Sequence, residues 1–328
     1  MTRFFYPSLA VVAVTVMSLL PLTLDPQGYE IRILCIAMLF AALGQAWNIV
    51  GGLANQISLG HAAYFGIGAY TSTILLRLFS LSPWLGGILG MVLAVLFALL
   101  LSVPTVRLKG HYFALATLGA GEAMRVIANS WTSVTGGPVG ISVPYSRESS
   151  LWMMQFPTVL PNYYLFLIAL VIICLVFWKI QTGALGFRLR AIKENEQAAE
   201  VIGVDTYRAK LIASTVSAAI TAFMGTLYAQ FQFFFDPDTV FGVATISVKM
   251  ALIAILGGVG TLLGPLLGAA FIIPMEEFAN SYFGASVAGL SQFAYGVILV
   301  VIILINPRGL VALIGQIKNR IFSKGGSQ

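Results

Sequence analysis

Six Lys/Arg and four Asp/Glu residues fall between Lys179 and Lys210, in a chain where only 9% of residues are charged. The segment reads KIQTGALGFRLRAIKENEQAAEVIGVDTYRAK and is flanked on both sides by apolar runs. Within it, Asn195 suits a helix N-cap and Gly203 a C-terminal stop, because a short polar side chain accepts from free amides and glycine takes positive φ cheaply. The enclosed helix is about two turns, roughly 10 Å at 1.5 Å per residue, and marginal in isolation. Ala198, Ala199 and Ile202 give it a small apolar face, with Glu196 and Glu200 alongside. Such a helix, held between membrane spans, is what a soluble motor needs in order to grip a pore, so the chemistry on offer is mechanical. A solvated connector is the other reading of the same charges.

A second polar set sits inside apolar runs. Gln45, Asn48, Asn55, Gln56, Ser58 and His61 crowd one short region. Polar side chains in a membrane are costly and turn toward a bundle interior or a cavity. Taken singly they read as hydrogen bonds between helices; as a group they line a polar route. Asn55, Gln56, Ser58 and His61 are therefore candidate pathway residues. His61 and His111 are 50 residues apart, with no carboxylate or cysteine at ligand spacing, so no metal site is expected. Glu122 and Arg125 stand at i and i+3 and can pair along one helical face, as structural neutralisation or, alternatively, as a gate. Lys249, Glu276 and Glu277 lie near predicted span ends, where long side chains snorkel. Asp236 and Asp238 flank Pro237 in a predicted outer loop. No nucleophile–base constellation occurs, so no catalytic residue is assigned and an enzyme is not expected.

The elements that position these residues follow from hydropathy. Hydrophobic residues make up 59% of the chain, against roughly 45–50% in soluble domains, and mean hydropathy is +0.92. With apolar runs near 20 residues this predicts an all-α polytopic membrane protein of about 8–10 transmembrane helices. Spans are expected near 6–24, 31–50, 60–79, 84–103, 111–128, 162–179, 209–231, 244–262, 263–282 and 288–305. The first, Tyr6 to Leu24, reads as an uncleaved span because Pro26, Gln27 and Gly28 follow it instead of a small-residue cleavage site. With the N-terminus inside, the inner loops hold Arg107, Lys109, the six cations of 179–210, and Arg308, Lys318, Arg320 and Lys324; the outer loops hold Arg32, Arg77 and Arg147. That bias predicts both termini in the cytoplasm. It also explains the net charge of +6 without a nucleic-acid partner. Cys35 and Cys174 lie within apolar runs, which leaves no disulfide framework.

Two glycine-rich passages stand in opposite halves of what reads as a single domain, 1–328. GGLANQISLGHAAYFGIGAY spans 51–70 and GGVGTLLGPLLGAA spans 257–270. Each opens with a Gly-Gly pair where an even-numbered span reaches the cytoplasmic side. Glycine permits close helix approach and at high density breaks helices. Broken helices at matching places in two halves point to a substrate path, since unwound backbone can line a cavity but cannot face lipid. Gly257 and Gly258 join the pathway candidates, and a weak internal repeat is expected over about 31–128 and 209–305. Ordinary small-residue packing is the alternative.

Gln197-Ala198-Ala199, three residues, then Gly203 resembles the EAA-x3-G motif of ABC importer permeases, with Gln in place of the first Glu. NIVGGLANQISLGHAAYFGIGAY at 48–70, RLKGHYFALATLGAGEAMRVI at 107–127, TGGPVGI at 135–141, RLRAIKENEQAAEVIGVD at 188–205 and LGGVGTLLGPLLGA at 256–269 accompany it. In this order they resemble the M-type membrane subunit of branched-chain amino acid ABC importers, over residues 31–310. The resemblance implies a permease in a bacterial inner membrane, importing leucine, isoleucine and valine by alternating access. Urea or short amides are the other cargo it allows. It implies that Glu196, Gln197, Ala198, Ala199, Glu200 and Gly203 form a cytoplasmic coupling helix. It also implies partners: a homologous second permease as a heterodimer, two cytoplasmic ABC ATPases, an extracytoplasmic amino-acid-binding protein, and lipid. ATP and Mg would sit on the ATPases, since no G-x-x-x-x-G-K-[ST] phosphate loop occurs here and the chain needs no cofactor of its own. An ion-coupled secondary transporter is the rival of another class; it needs a carboxylate deep in the bundle, for which Glu122 is the candidate.

Overall fold

The computed structural model describes residues 15–25, 28–105, 108, 110–145, 150–283, 296–297, 304 and 309–313. Residues 6–14 of the predicted span 6–24, most of the predicted span 288–305, and the tail beyond 313 lie outside the described residues. Among those described, the protein is almost wholly helical. The long helices are α1 (Tyr29–Trp47), α2 (His61–Phe79), α3 (Pro83–Thr105), α4 (His111–Ser130) and α5 (Val159–Thr182). There follow α6 (Ala184–Glu194), α7 (Glu196–Val201), α8 (Thr206–Gln232), α9 (Lys249–Gly257) and α10 (Gly264–Phe283). Two residues on each side form a small antiparallel pairing of β1 (Ile141–Ser142) with β2 (Phe234–Phe235), tying the loop after α4 to the end of α8.

Among the described residues, five segments are long and apolar enough to cross a membrane: Tyr29–Gly52, Pro83–Thr105, Val159–Thr182, Thr206–Gln232 and Pro237–Gly257. The first of these adds a π-helical turn, Asn48–Gly52, to α1, and the last places a π-helical turn, Val243–Val248, ahead of α9. Helices α2, α4 and α10 carry more polar residues but are 19, 20 and 20 residues long, about 30 Å each at 1.5 Å per residue, which also matches a bilayer core.

Burial separates inner from outer helices. α1 is apolar nearly all round and packs against α5, α8, α9 and α10, so it is the central helix. α3 is inverted relative to a soluble helix. Its buried stripe is small, with Gly86, Gly90, Ala94, Ala98 and Ser102 at every fourth position, while Leu85, Ile88, Leu96, Leu100 and Val103 point outward. That is the pattern expected where the surrounding solvent is hydrocarbon, because helices associate there through close small-residue packing. Helices α2 and α8 approach closely. A β-carbon on Gly68 would overlap the Ala222 carbonyl oxygen, and one on Gly225 would overlap the Phe65 carbonyl oxygen. The Thr226 hydroxyl donates to Gly68 O across the same seam at 3.1 Å.

Candidate functional site

The polar segment forms three helices in succession, where sequence reasoning places one. α6 is an eleven-residue helix whose buried residues are Gly186, Leu189 and Ile192. Asn195 then caps α7, its side chain accepting from Ala198 N at 3.1 Å. At the other end Gly203, at φ +89°, allows Gly203 N–H to reach Glu200 O and Val204 N–H to reach Ala199 O. That crossed pair of bonds satisfies carbonyls the helix leaves over. Asp205 immediately caps α8 by accepting from Arg208 N at 3.0 Å.

Side chains bind α7 to α8. Lys210 Nζ lies 2.5 Å from Glu196 Oε1, with Lys210 3% and Glu196 23% exposed, and the Thr206 hydroxyl donates to Glu200 Oε1 at 2.7 Å. Ala199 is buried against the protein. Gln197, Ala198 and Gly203 face outward, as do Val201 and Ile202, which are 87% and 76% exposed. Of the residues predicted to form a contact face, Ala199 thus points inward and both carboxylates are engaged with α8. Val201, which sequence reasoning passed over, is the most exposed aliphatic side chain of the helix.

The two glycine passages meet. The Asn48 side chain accepts from Gly260 N at 2.7 Å and donates to Thr261 O at 2.9 Å, while Gln45 Nε2 donates to Leu262 O at 3.3 Å. A β-carbon on Gly52 would crowd Gly260 N and overlap the Asn48 side chain. The break between α9 and α10 begins at Gly258, at φ +135°. Two side chains from the polar segment reach this junction. Lys193 Nζ donates to Gly52 O at 3.0 Å, and Gln181 Nε2 to Gly260 O at 2.8 Å. Side chains thus satisfy Gly52 O, Gly260 N and O, Thr261 O and Leu262 O, peptide groups that the breaks leave over.

The predicted pathway residues separate into three places. Gly257 and Gly258 belong to the junction just described. Asn55, at φ +55°, is exposed, whereas Gln56 is buried with no partner for its Oε1. Ser58 and His61 line a narrow recess with Tyr64, Ser102, Thr117 and Ser214, whose open volume is about 10 Å³. That is room for about one water. His61 Nε2 lies 2.8 Å from Ser217 Oγ, and that hydroxyl donates to Ala46 O at 2.7 Å. Ser217 has one hydrogen to give, so the imidazole donates from Nε2, and Nδ1 has no partner.

Several charges on the long helices are paired. Glu122 and Arg125 meet at 2.7 Å, as their spacing predicts, and Arg125 also binds Asp238 at 2.6 Å. Asn129 donates to the same Asp238 oxygen, so this loop aspartate is tied to α4. Lys249 and Glu276, expected to snorkel separately, bond to each other at 2.7 Å. No cluster of three or more metal-ligating side chains occurs among the described residues.

Residues 30–305 match the sequence profile of a family described as branched-chain amino acid transport system, permease component. The chain is 29% identical to the high-affinity branched-chain amino acid transport system permease protein LivM of Escherichia coli, the match covering 86% of this chain and 70% of that protein. The Salmonella typhimurium LivM is 30% identical over 87% of this chain and 70% of its own length. The permease protein LivH of the latter organism is 21% identical, over 83% of this chain and 91% of LivH.

Proposed function

Because the chain belongs to the branched-chain amino acid transport system permease family, we propose that it is the membrane-spanning subunit of an ATP-driven importer of leucine, isoleucine and valine. The observation that carries this reading is the likeness, over nearly the whole chain, to two permeases named for that transport system. The likeness extends to the LivH type, which supports a second, homologous permease as the partner across the pore. Two cytoplasmic ATPases and an extracytoplasmic binding protein complete the assembly. ATP and Mg bind the ATPases, because this sequence lacks the phosphate loop that would cradle them. The chain lies in a bacterial inner membrane with segment 179–210 and both termini in the cytoplasm, the orientation its loop cations favour.

Contacts within the chain support a transmission role for α7. Val201 and Ile202 project from α7 as an apolar knob for a cleft in the ATPase. α7 is fastened to α8 through Lys210–Glu196 and Glu200–Thr206, and α8 packs along α2 and α3 through the bundle. In parallel, Lys193 and Gln181 hold the glycine junction. A push on α7 thus reaches both the recess at His61 and the breaks that end α1 and α9. With room for about one water, that recess is shut to an amino acid, so transport requires a second arrangement. ATP drives the exchange only because the ATPases, and through them α7, distinguish the two arrangements.

Urea or short amides remain the alternative cargo within the same mechanism. Ion-coupled secondary transport has less support, since its candidate carboxylate, Glu122, is engaged by Arg125. The coupling role is tested by co-expressing the tagged chain with its ATPases. They should co-purify with the wild type and be lost from a Val201→Glu, Ile202→Glu variant that still elutes as a folded membrane protein. Retention by that variant, at wild-type stoichiometry, would reject the docking surface.

A further inference from the structure

A second cavity, about 330 Å³, opens between α1, α8, α9 and α10, at the end of the bundle where α1 begins. Its size falls within the range of small-molecule sites, roughly 300–1,000 Å³. Tyr29, Arg32, Ile36 and Phe40 of α1, Lys249 and Glu277 contribute to its wall. Charges of both signs beside aliphatic and aromatic surface, within membrane-spanning helices, are costly unless they serve a ligand or one another.

The charges differ in how fully they are used. Lys249 is spent internally: it reaches both Glu276 oxygens, at 2.7 and 2.9 Å, and sits 4.9 Å from the centre of the Phe40 ring. Glu277 accepts from the Tyr29 hydroxyl, which leaves lone pairs available on its carboxylate. Arg32 donates to Gln232 at 2.5 Å and lies over the Phe231 ring, and it makes no ion pair among the described residues. A guanidinium carries five donors in a planar fork suited to a carboxylate, so most of that fork is open. A cation on α1 and an anion on α10, each with spare capacity, therefore line the same cavity, with Ile33, Ile36 and Phe40 of α1 as its apolar strip.

We propose that this cavity is a binding site within the permease itself for a zwitterionic amino acid, its carboxylate on Arg32, its ammonium on Glu277, and its side chain along Ile36 and Phe40. The assignment rests on the transport reading above and places a selective step in the pore in addition to that of the binding protein. In the orientation given there, the site faces the extracytoplasmic side, where cargo arrives. It predicts that both charged ends of the cargo are read, so urea and amides fit it poorly.

The test is equilibrium binding of radiolabelled leucine to the purified permease–ATPase complex without binding protein, alongside ATP-driven uptake by the complete system. Leucine should bind, and leucinol and 4-methylpentanoate, each lacking one charge, should not displace it. Arg32→Gln should weaken binding at least tenfold, as loss of a charge-assisted contact does, and Arg32→Lys less. Phe40→Trp, which fills the cavity where the cargo side chain would lie, should weaken it too, with ATPase co-purification unchanged. Uptake by a wild-type complex that binds no leucine, or equal affinity in Arg32→Gln, or displacement by leucinol, would overturn the site alone. No branched-chain uptake by the wild type would overturn the transport reading and the site with it.

Discussion

Replacing Glu196 with alanine should loosen α7 far more than replacing Lys210 with methionine, although both break the same ion pair. The two ends are unequally buried, Lys210 at 3% and Glu196 at 23% exposed. Removing one partner of a fully buried pair costs about 3–5 kcal/mol, because the other charge is stranded. Water already reaches the Glu196 end, so about 2 kcal/mol is the better figure for Glu196→Ala. Lys210→Met leaves a carboxylate that can turn to solvent and keeps an apolar stem in the buried slot, which costs about 0–1 kcal/mol. The stranded Lys210 is hydrated when α7 lifts off, so the cost appears as local opening. At a factor of ten per 1.4 kcal/mol, Glu196→Ala should speed that opening equilibrium roughly 30-fold. Hydrogen exchange at the Ala199 and Val204 amides, which donate to Asn195 O and Ala199 O, reads it directly. Equal protection in the two variants, or greater loss in Lys210→Met, would refute the burial argument.

Gly68→Val should abolish recovery of monodisperse protein in detergent, because its side chain would enter the α8 backbone, whereas Gly119→Val should be recovered normally, since a β-carbon there meets nothing within 4 Å. Asn48→Ala should lower the thermal midpoint and transport together, as Gly260 N–H and Thr261 C=O lose their partners at about 1–3 kcal/mol for each buried group left unsatisfied; Asn48→Asp, which keeps the acceptor, should fall between. Gly203→Ala should increase exchange at the Val204 amide by about tenfold, because φ +89° strains an L-residue by about 1–2 kcal/mol, and Gly203→Asn should do so less.

Much of the helix layout was legible because a bilayer leaves few choices. Predicted spans 60–79, 84–103 and 162–179 correspond to His61–Phe79, Pro83–Thr105 and Val159–Thr182, since a run of apolar residues can satisfy its backbone only by forming a helix. The caps at Asn195 and Gly203 were legible for a local reason: capping depends on a few neighbouring atoms. What lay between spans in three dimensions was not. Lys249 and Glu276 are 27 residues apart and each reads as a snorkelling end until α9 and α10 are seen packed together. Asn48 looked like one more interhelical polar residue, and nothing local says that it clamps a loop more than 200 residues away. α6 was missed because it is short and charged, and the inward turn of Ala199 depends on α8, whose register against α7 the sequence does not state. Two glycine passages were visible as a pair, but that they touch follows only from the fold.

The proposed function is ATP-driven passage of a branched-chain amino acid through this chain, with ATP bound on partner subunits. Its most direct test is uptake into proteoliposomes containing the chain with its partner permease and ATPases, with ATP inside, binding protein outside, and labelled leucine and urea offered separately. Leucine uptake should require ATP and vanish without the ATPases. Urea uptake without leucine uptake would contradict the cargo, and uptake of either by this chain alone, without ATP, would contradict the mechanism.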